Sequence, residues 1–224
     1  MAVIHHTTMT PTKLELLTSW LPTRPWYVDT GSTPQLAKAG GFRLDDPEGV
    51  VGLEFMVVTD SSGERPVAYH VPMSYRGAPL DGADECLIGT SEHGVLGKRW
   101  LYDGTHDPVL VGQLLDLLQG RTVAQAQSVN DTPDPSVAHH FTGAALPPGT
   151  VASAVSDSEH GSTITLDVAA GGAPTLQVAR FLGREGDVAD SSGTEARGHV
   201  AAGWRRPDGG EARAPFFVLR DTAR

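Results

Sequence analysis

Apolar and polar residues alternate most clearly in the run from Val51 to Thr59, where every second side chain up to Val57 is apolar and Glu54 lies on the other face. This period of two predicts a β-strand that presents one face to a core. β-branched and aromatic residues are also frequent at 41–44 and 66–75, which predicts a strand on either side. Because the polar segment 60–64 is rich in turn-forming residues, we expect the second and third strands to form an antiparallel hairpin within a meander.

The spacing of leucines predicts two helices. The first starts with a hydroxyl residue, Thr10, at the N-cap and Pro11 at the first helical position. The second starts with Asp107 at the N-cap and Pro108 at the first helical position, and Gly120 ends it. Leucines three or four residues apart form the apolar faces: Leu14, Leu17 and Leu21 in the first helix, and Leu110, Leu114, Leu117 and Leu118 in the second.

The pattern changes after residue 120. Residues 121–149 are rich in Gln, Ser, Asn, Asp and Pro without a sustained period, which is typical of a linker or a surface crossover. We therefore predict three parts: an α+β domain at 1–120, the linker or crossover at 121–149, and an antiparallel β lobe at 150–224. The predicted strands not named above are 85–90 and 98–103 in the first part, and 150–156, 162–168, 175–182, 198–205 and 215–220 in the last.

Composition and charge limit the partners. The 224 residues contain 17 Lys and Arg against 27 Asp and Glu, a net charge of −10, and the pI is about 5.2. An acidic surface repels phosphate backbones, so we expect no nucleic acid and no anionic membrane as partner. No run approaches the ~18 apolar residues of a membrane span, the N-terminus lacks a secretory pattern, and Cys86 is the single cysteine. These features predict a soluble cytoplasmic protein.

Motifs with strong chemical meaning are missing from the sequence. It contains neither the Gly-Lys-Ser/Thr ending of a phosphate loop nor a Gly-x-Ser-x-Gly nucleophile elbow. Adjacent histidines, as in His5-His6 and His139-His140, point to opposite faces of an extended chain and lack zinc-site spacing. His106 precedes Asp107, but the capping role of Asp107 explains this pair. We predict no catalytic residue, no metal site and no cofactor.

Four segments carry a resemblance to a known family: LELLTSWLPTRPWY, AYHVPMSYRGAPL, LIGTSEHGVLGKRWLYDGTHDP and VLVGQLLDLLQG. In this order, residues 13–120 resemble the N-terminal cap region of actinobacterial maltokinases. In those enzymes the cap precedes a bilobal phosphotransferase that makes maltose 1-phosphate from ATP and maltose for α-glucan assembly. The resemblance implies a cystatin-like topology for the first part, a curved antiparallel sheet around a helix.

The second half resembles the small nucleotide-binding lobe of such kinases only in outline, as a degenerate version of it. Gln177 lies where the family has its phosphate-binding lysine, and a neutral amide cannot neutralise a triphosphate. After Arg220 the sequence offers no room for a large lobe with the catalytic and metal-binding aspartates. These groups act as a unit, so we do not expect kinase activity.

The resulting functional hypothesis is a non-catalytic binding or regulatory protein related to the maltokinase cap. It would act in α-glucan or trehalose metabolism through a protein partner or an α-glucan ligand, and exposed sheet edges would support a homodimer. The alternative is an accessory part of a sugar kinase or other carbohydrate-active enzyme completed in trans, with acids such as Asp45, Asp46, Glu48 or Asp103 in its site. The predicted ligand or partner contacts are Trp20, Arg24, Trp26, Arg99, Trp100 and His106.

Overall fold

An antiparallel β-sheet is the framework of the protein. The computed structural model describes residues 8–127, 129, 132–168, 172–182 and 196–221. The described strands are β1 (Met9–Thr10), β2 (Leu36–Leu44), β3 (Gly52–Asp60), β4 (Val67–Arg76), β5 (Leu87–His93), β6 (Gly97–Asp103), β7 (Gln125–Ala126), β8 (Ala138–Phe141), β9 (Val151–Ser158), β10 (Gly161–Asp167), β11 (Thr175–Val178), β12 (Phe181–Leu182), β13 (Ala196–Arg205) and β14 (Glu211–Arg220). Two short helices accompany them, α1 (Lys13–Trp20) and α2 (Pro108–Leu118).

The strands form one continuous sheet. Its order is β1-β5-β6-β4-β3-β2-β13-β14-β11-β10-β9, and β12, β7 and β8 pair with β4, β2 and β13. The link between β2 and β13 is a single pair, Gly40 opposite Trp204. A Cβ at Gly40 would lie 3.1 Å from the Cα of Trp204, and the φ of Gly40 is +154°, so this approach requires a glycine.

The hairpin and meander predicted around Val51–Thr59 are present. β3 lies between β2 and β4 and pairs with both in antiparallel register. Successive residues of β3, such as Phe55 and Met56, point into two different apolar clusters, so both faces of this strand are buried. The alternation in the sequence therefore separates the residues of two apolar clusters, and it does not separate a buried face from a solvent-exposed one.

Helix α1 covers one face of the sheet. Its Leu17 and Trp20 pack with Met56, Val58 and their neighbours in the smaller cluster. The sequence prediction placed the start of this helix two residues too early. Thr12 is the N-cap, because its hydroxyl accepts a hydrogen bond from the Glu15 amide while the Glu15 carboxylate accepts one from the Thr12 amide.

Helix α2 packs against the opposite face of the sheet and buries the apolar face that its leucine spacing predicts. The Asp107 side chain accepts from the Val109 amide, Pro108 is the first helical residue, and Gly120 follows the helix with a φ of +71°. Each apolar side chain buried here contributes about 1.5–3 kcal/mol relative to exposure. The buried residues are Leu110, Val111, Leu114, Leu115, Leu117 and Leu118.

The strands of the second half close over α2. The larger apolar cluster combines Phe42 and Phe55 from the first half with Leu176, Phe216 and Phe217 from the second. Sheet and core thus run across the boundaries predicted at residues 120 and 150, and the division into domains stays a prediction. The fold is mainly an antiparallel sheet with two short helices, which is compatible with a cap-like fold; the cystatin-like and kinase-lobe features stay predictions.

Candidate functional site

A cleft of about 410 Å³ lies between the last turns of α2 and the segment 146–150. Gln119 joins its two walls, because its side-chain amide donates to the carbonyl oxygen of Leu115 (3.0 Å) and its side-chain oxygen accepts from the Leu146 amide (2.8 Å). We call this site the α2 cleft. It is lined by Gly112, Gln113, Leu115, Asp116, Gln119, Arg121, Leu146, Pro147, Pro148, Gly149 and Thr150.

An ion pair and an amide supply the polar groups of the α2 cleft. A terminal guanidinium nitrogen of Arg121 lies 2.6 Å from Asp116 Oδ1. The Arg121 Nε donates a hydrogen bond to the same oxygen at 2.7 Å. The Gln113 amide donates to Asp116 Oδ2 at 3.3 Å. The side chains of Asp116 and Arg121 remain 33% and 48% exposed, so both can still contact a ligand. Their charges cancel, which leaves a polar and electrically neutral surface.

The opposite wall of the cleft is apolar and preformed. Pro147 accepts hydrogen bonds from both the backbone amide and the hydroxyl of Thr150, at 3.2 and 2.7 Å. Gly149 occupies the left-handed region between them, with a φ of +79°. One carboxylate is present among the lining residues, and hydrolysis of a glycosidic bond needs two. The ion pair and the amide thus offer hydrogen-bond donors and acceptors to a polar ligand beside this wall.

The most deeply buried ion pair of the described residues is structural. Arg180 is fully buried and donates to Asp103 at 2.5 Å, to the Thr105 hydroxyl at 3.1 Å and to Ser162 at 2.7 Å. Its guanidinium also stacks 5.0 Å from the ring of Trp26. Burial alone would raise the pKa of Asp103, but the charge and hydrogen bonds of Arg180 lower that pKa below its usual value. Asp103, which the alternative hypothesis places in an enzyme site, is thus engaged in holding strands together.

A second carboxylate has two structural partners. Arg76 donates twice to Asp107, from Nε to Oδ2 and from a terminal nitrogen to Oδ1, each at 2.7 Å. Asp107 is also the N-cap of α2, which confirms the capping role predicted for it. Asp46, another acid of the alternative hypothesis, is 4% exposed and accepts from the amides of Val50 and Val51.

The carboxylate of Glu54 is also buried and lies under the start of α1. Glu54 accepts from Lys13 at 2.6 Å, from the Tyr75 hydroxyl and from the Gln127 amide at 3.0 Å. Burial would raise the pKa of Glu54, but Lys13 and Tyr75 lower it below its usual value. The ion pair attaches α1 to the central strand β3.

His70 is a fully buried histidine that packs among aromatic rings. Its Nδ1 lies 2.9 Å from the carbonyl oxygen of Ala179, and its ring packs against Phe216 and Phe217. Burial lowers the pKa of His70 to about 3, so the ring is neutral at physiological pH. Among the described residues, no three His, Cys, Asp or Glu side chains come together as a metal site.

The residues predicted to contact a ligand or partner occupy different environments. Trp20 and Trp26 are 6% and 2% exposed and pack edge to face, with centroids 5.7 Å apart. Arg24 covers the Trp20 ring at 5.0 Å, so a ligand would have to displace these groups before it could stack.

The other three predicted contacts lie on β6 and in the turn that follows it. Trp100 is partly buried and carries Lys98 over its ring at 5.1 Å. Arg99 donates to the carbonyl oxygen of Leu96, and His106 lies in the turn before α2, partly buried. None of the six lines the α2 cleft, and their role as contacts stays a prediction.

Sequence reasoning missed the α2 cleft and the Arg180 pair. The only local signals were the acid and base flanking the end of α2, Asp116 and Arg121, and a lone arginine within the apolar run TLQVARFL. Gln177 accepts a hydrogen bond from Arg220 Nε at 3.1 Å, so its amide stabilises the sheet between β11 and β14. No helix among the described residues is long and apolar enough to cross a membrane.

Comparison with known proteins supports the resemblance over part of the chain. Residues 20–107 match the family model of the maltokinase N-terminal cap domain. This match confirms the resemblance to the maltokinase cap, and it spans well under half of the 224 residues. The α2 cleft lies outside the matched segment. No curated protein matches the sequence.

Proposed function

We propose, starting from the cap-domain match at residues 20–107, that the protein is a non-catalytic binding protein related to the maltokinase cap. It binds a neutral, polyhydroxylated ligand, an α-glucan or a related disaccharide, in the α2 cleft. The observation that carries this proposal is the neutral set of donors and acceptors formed by Gln113, Asp116 and Arg121 beside a preformed proline wall.

The chemistry of the cleft favours a sugar over a charged ligand. Each sugar hydroxyl both donates and accepts a hydrogen bond, so a carboxylate next to a guanidinium matches a pair of neighbouring hydroxyls. A phosphorylated ligand would meet the Asp116 carboxylate together with the overall charge of −10. The apolar surfaces of Pro147 and Pro148 can contact the C–H face of a sugar ring.

The role is proposed as non-catalytic because three of the buried acids among the described residues are held in structural ion pairs. Glu54, Asp103 and Asp107 each face a lysine or an arginine, which keeps these acids ionised and unable to donate a proton at neutral pH. None of them lines the α2 cleft. The protein would therefore act by binding the ligand in the α2 cleft, as a regulator or as a recruiting module of glucan metabolism.

Titration calorimetry with maltose, maltotriose and trehalose tests the proposal. We expect binding of at least one sugar, weakened by Arg121→Ala and by Gln113→Ala. Arg206→Ala and Gln35→Ala are the matched controls, because both side chains are exposed and lie away from the cleft. The controls should bind like the unmodified protein.

Two results would overturn the proposal as a whole, and a third would contradict its assignment to the α2 cleft. The first is no heat of binding and no thermal stabilisation with any of the three sugars, since a ligand of the native state raises its apparent stability. The second is formation of a sugar phosphate when the protein alone is incubated with ATP, Mg²⁺ and maltose, which would make it an enzyme. Sugar binding that is equally weakened by the control variants would also contradict the assignment to the cleft.

A further inference from the structure

The two ends of the sheet differ in a way that matters for association. At one end lies β1, which has only two residues, and at the other lies β9, which has eight. A long edge strand presents unpaired backbone N–H and C=O groups, and proteins commonly protect such edges with lysine, proline, bulges or short length. β1 is protected by its length, and β9 contains neither lysine nor proline.

Part of β9 is regular and free on its outer side. Its ladder with β10 is regular from Ala154 to Ser158, and a bulge at Ser153 interrupts it. Apart from this ladder, the backbone of 154–158 forms no hydrogen bond within the part of the chain that the structure describes. Ala154, Ser156 and Ser158 are exposed and small, so their side chains do not obstruct an approaching strand.

The charge pattern of this segment suits a copy of itself. Asp157 is its only charged residue, and the carboxylate is held by the Ser162 hydroxyl at 2.5 Å. In an antiparallel pair of two β9 strands centred on Ser156, Asp157 lies opposite Val155 of the other copy, and no like charges face each other. Cross-strand neighbours of this kind avoid the destabilisation that opposed like charges cause.

We propose that residues 154–158 of β9 form a homodimer interface by antiparallel pairing with the same segment of a second copy. The two sheets then continue into one another across a two-fold axis at Ser156, which is the closed symmetry expected of a self-complementary edge. Because each copy carries a net charge of −10, the dimer is favoured by salt, which screens the repulsion between the two acidic surfaces.

Sedimentation equilibrium across a range of protein and salt concentrations measures the association. We expect a monomer–dimer equilibrium that shifts toward dimer as the salt concentration rises. Ser156→Lys places two lysines opposite each other at the axis and should raise the dimer dissociation constant by roughly two- to fivefold. Ser32→Lys is the control, because Ser32 is exposed outside the sheet and carries the same charge change.

A crosslinking experiment covers the case in which Ser156→Lys fails to fold. Directly opposed residues of an antiparallel pair have Cα atoms about 4.5–5.5 Å apart, within the range of a disulfide. In a Cys86→Ser background, Ser156→Cys should therefore form a disulfide-linked dimer under mild oxidation, and Ser32→Cys should not. A protein that stays monomeric at every concentration, a Ser156→Lys dimer as tight as the control, or equal crosslinking of both cysteine variants would overturn the proposal.

Discussion

Breaking the ion pair between Arg180 and Asp103 should cost more stability than breaking either of the pairs Lys13–Glu54 and Arg76–Asp107, whose basic members are partly exposed. Arg180 is completely buried and Asp103 is 2% exposed. Removing one member of such a pair leaves the other charge buried and uncompensated, which costs about 3–5 kcal/mol. Arg180→Met also loses the hydrogen bonds to Thr105 and Ser162, so its cost should lie at the upper end of that range.

The conservative variant Asp103→Asn separates charge from shape. Its side-chain oxygen can still accept from Thr105, whose amide and hydroxyl lie 3.1 and 2.8 Å from Asp103 Oδ1. We expect it to lose about 3 kcal/mol, since it removes the charge and the oxygen that accepts from Arg180 but keeps the acceptor for Thr105. The double variant leaves no buried charge, so its loss should be smaller than the sum of the two single losses by about 1–3 kcal/mol.

Urea unfolding followed by tryptophan fluorescence gives these free energies of unfolding, and the Arg180 guanidinium lies directly over Trp26. Asp221→Asn is the control, because Asp221 pairs with Arg197 but is 60% exposed. We expect the control to change stability by less than about 1 kcal/mol. Single variants that each lose less than about 1 kcal/mol, or losses that simply add, would refute the reasoning.

Three further predictions concern single positions. The folded-state pKa of His70 is about 3, against 6.5 in the unfolded protein, so the unfolded protein binds the extra proton. The free energy of unfolding should therefore fall by up to about 1.4 kcal/mol per pH unit as the pH drops from 6.5 to 3. Urea midpoints of His70→Phe should depend less steeply on pH over this range. Asp107→Ala removes both the N-cap of α2 and the partner of Arg76, so it should lower the free energy of unfolding by about 3 kcal/mol or more. Asp107→Asn keeps the cap and should lose less stability in a thermal melt. Equal losses of stability in the two variants would show that the cap contributes nothing. Gly41→Ala places a Cβ 2.0 Å from the Phe55 carbonyl oxygen and should prevent folding as judged by circular dichroism, whereas Gly49→Ala meets nothing within 4 Å and should cost only about 1–2 kcal/mol.

The central strand and the second helix could be predicted well from the sequence. The alternation around β3 and the leucine spacing of α2 mark elements whose observed bounds differ from the predicted ones by one or two residues. The start of α1 was misplaced because Pro11 suggests a first helical residue as readily as the Thr12–Glu15 capping box does. Both signals act over one turn of chain, and the structure decides between them.

The candidate site was much harder to predict from the sequence. Gln119 binds the amide of Leu146, 27 residues away, and only this contact brings the segment 146–150 to α2 and creates the cleft. A glutamine near the end of a helix carries no sign of so distant a partner. The match to the cap domain also ends at residue 107, before the cleft begins.

The sequence by itself determined the central strand, the apolar faces of the two helices, the acidic charge and the resemblance to the maltokinase cap, because these depend on composition and on patterns that repeat within a few residues. Only the tertiary structure decided the partner of each buried charge and the order of the strands. Arg180 and Asp103 are separated by 77 residues, and Trp204 meets Gly40 across most of the chain. Such pairs form where packing brings distant segments together and water is excluded, and no period along the chain encodes them.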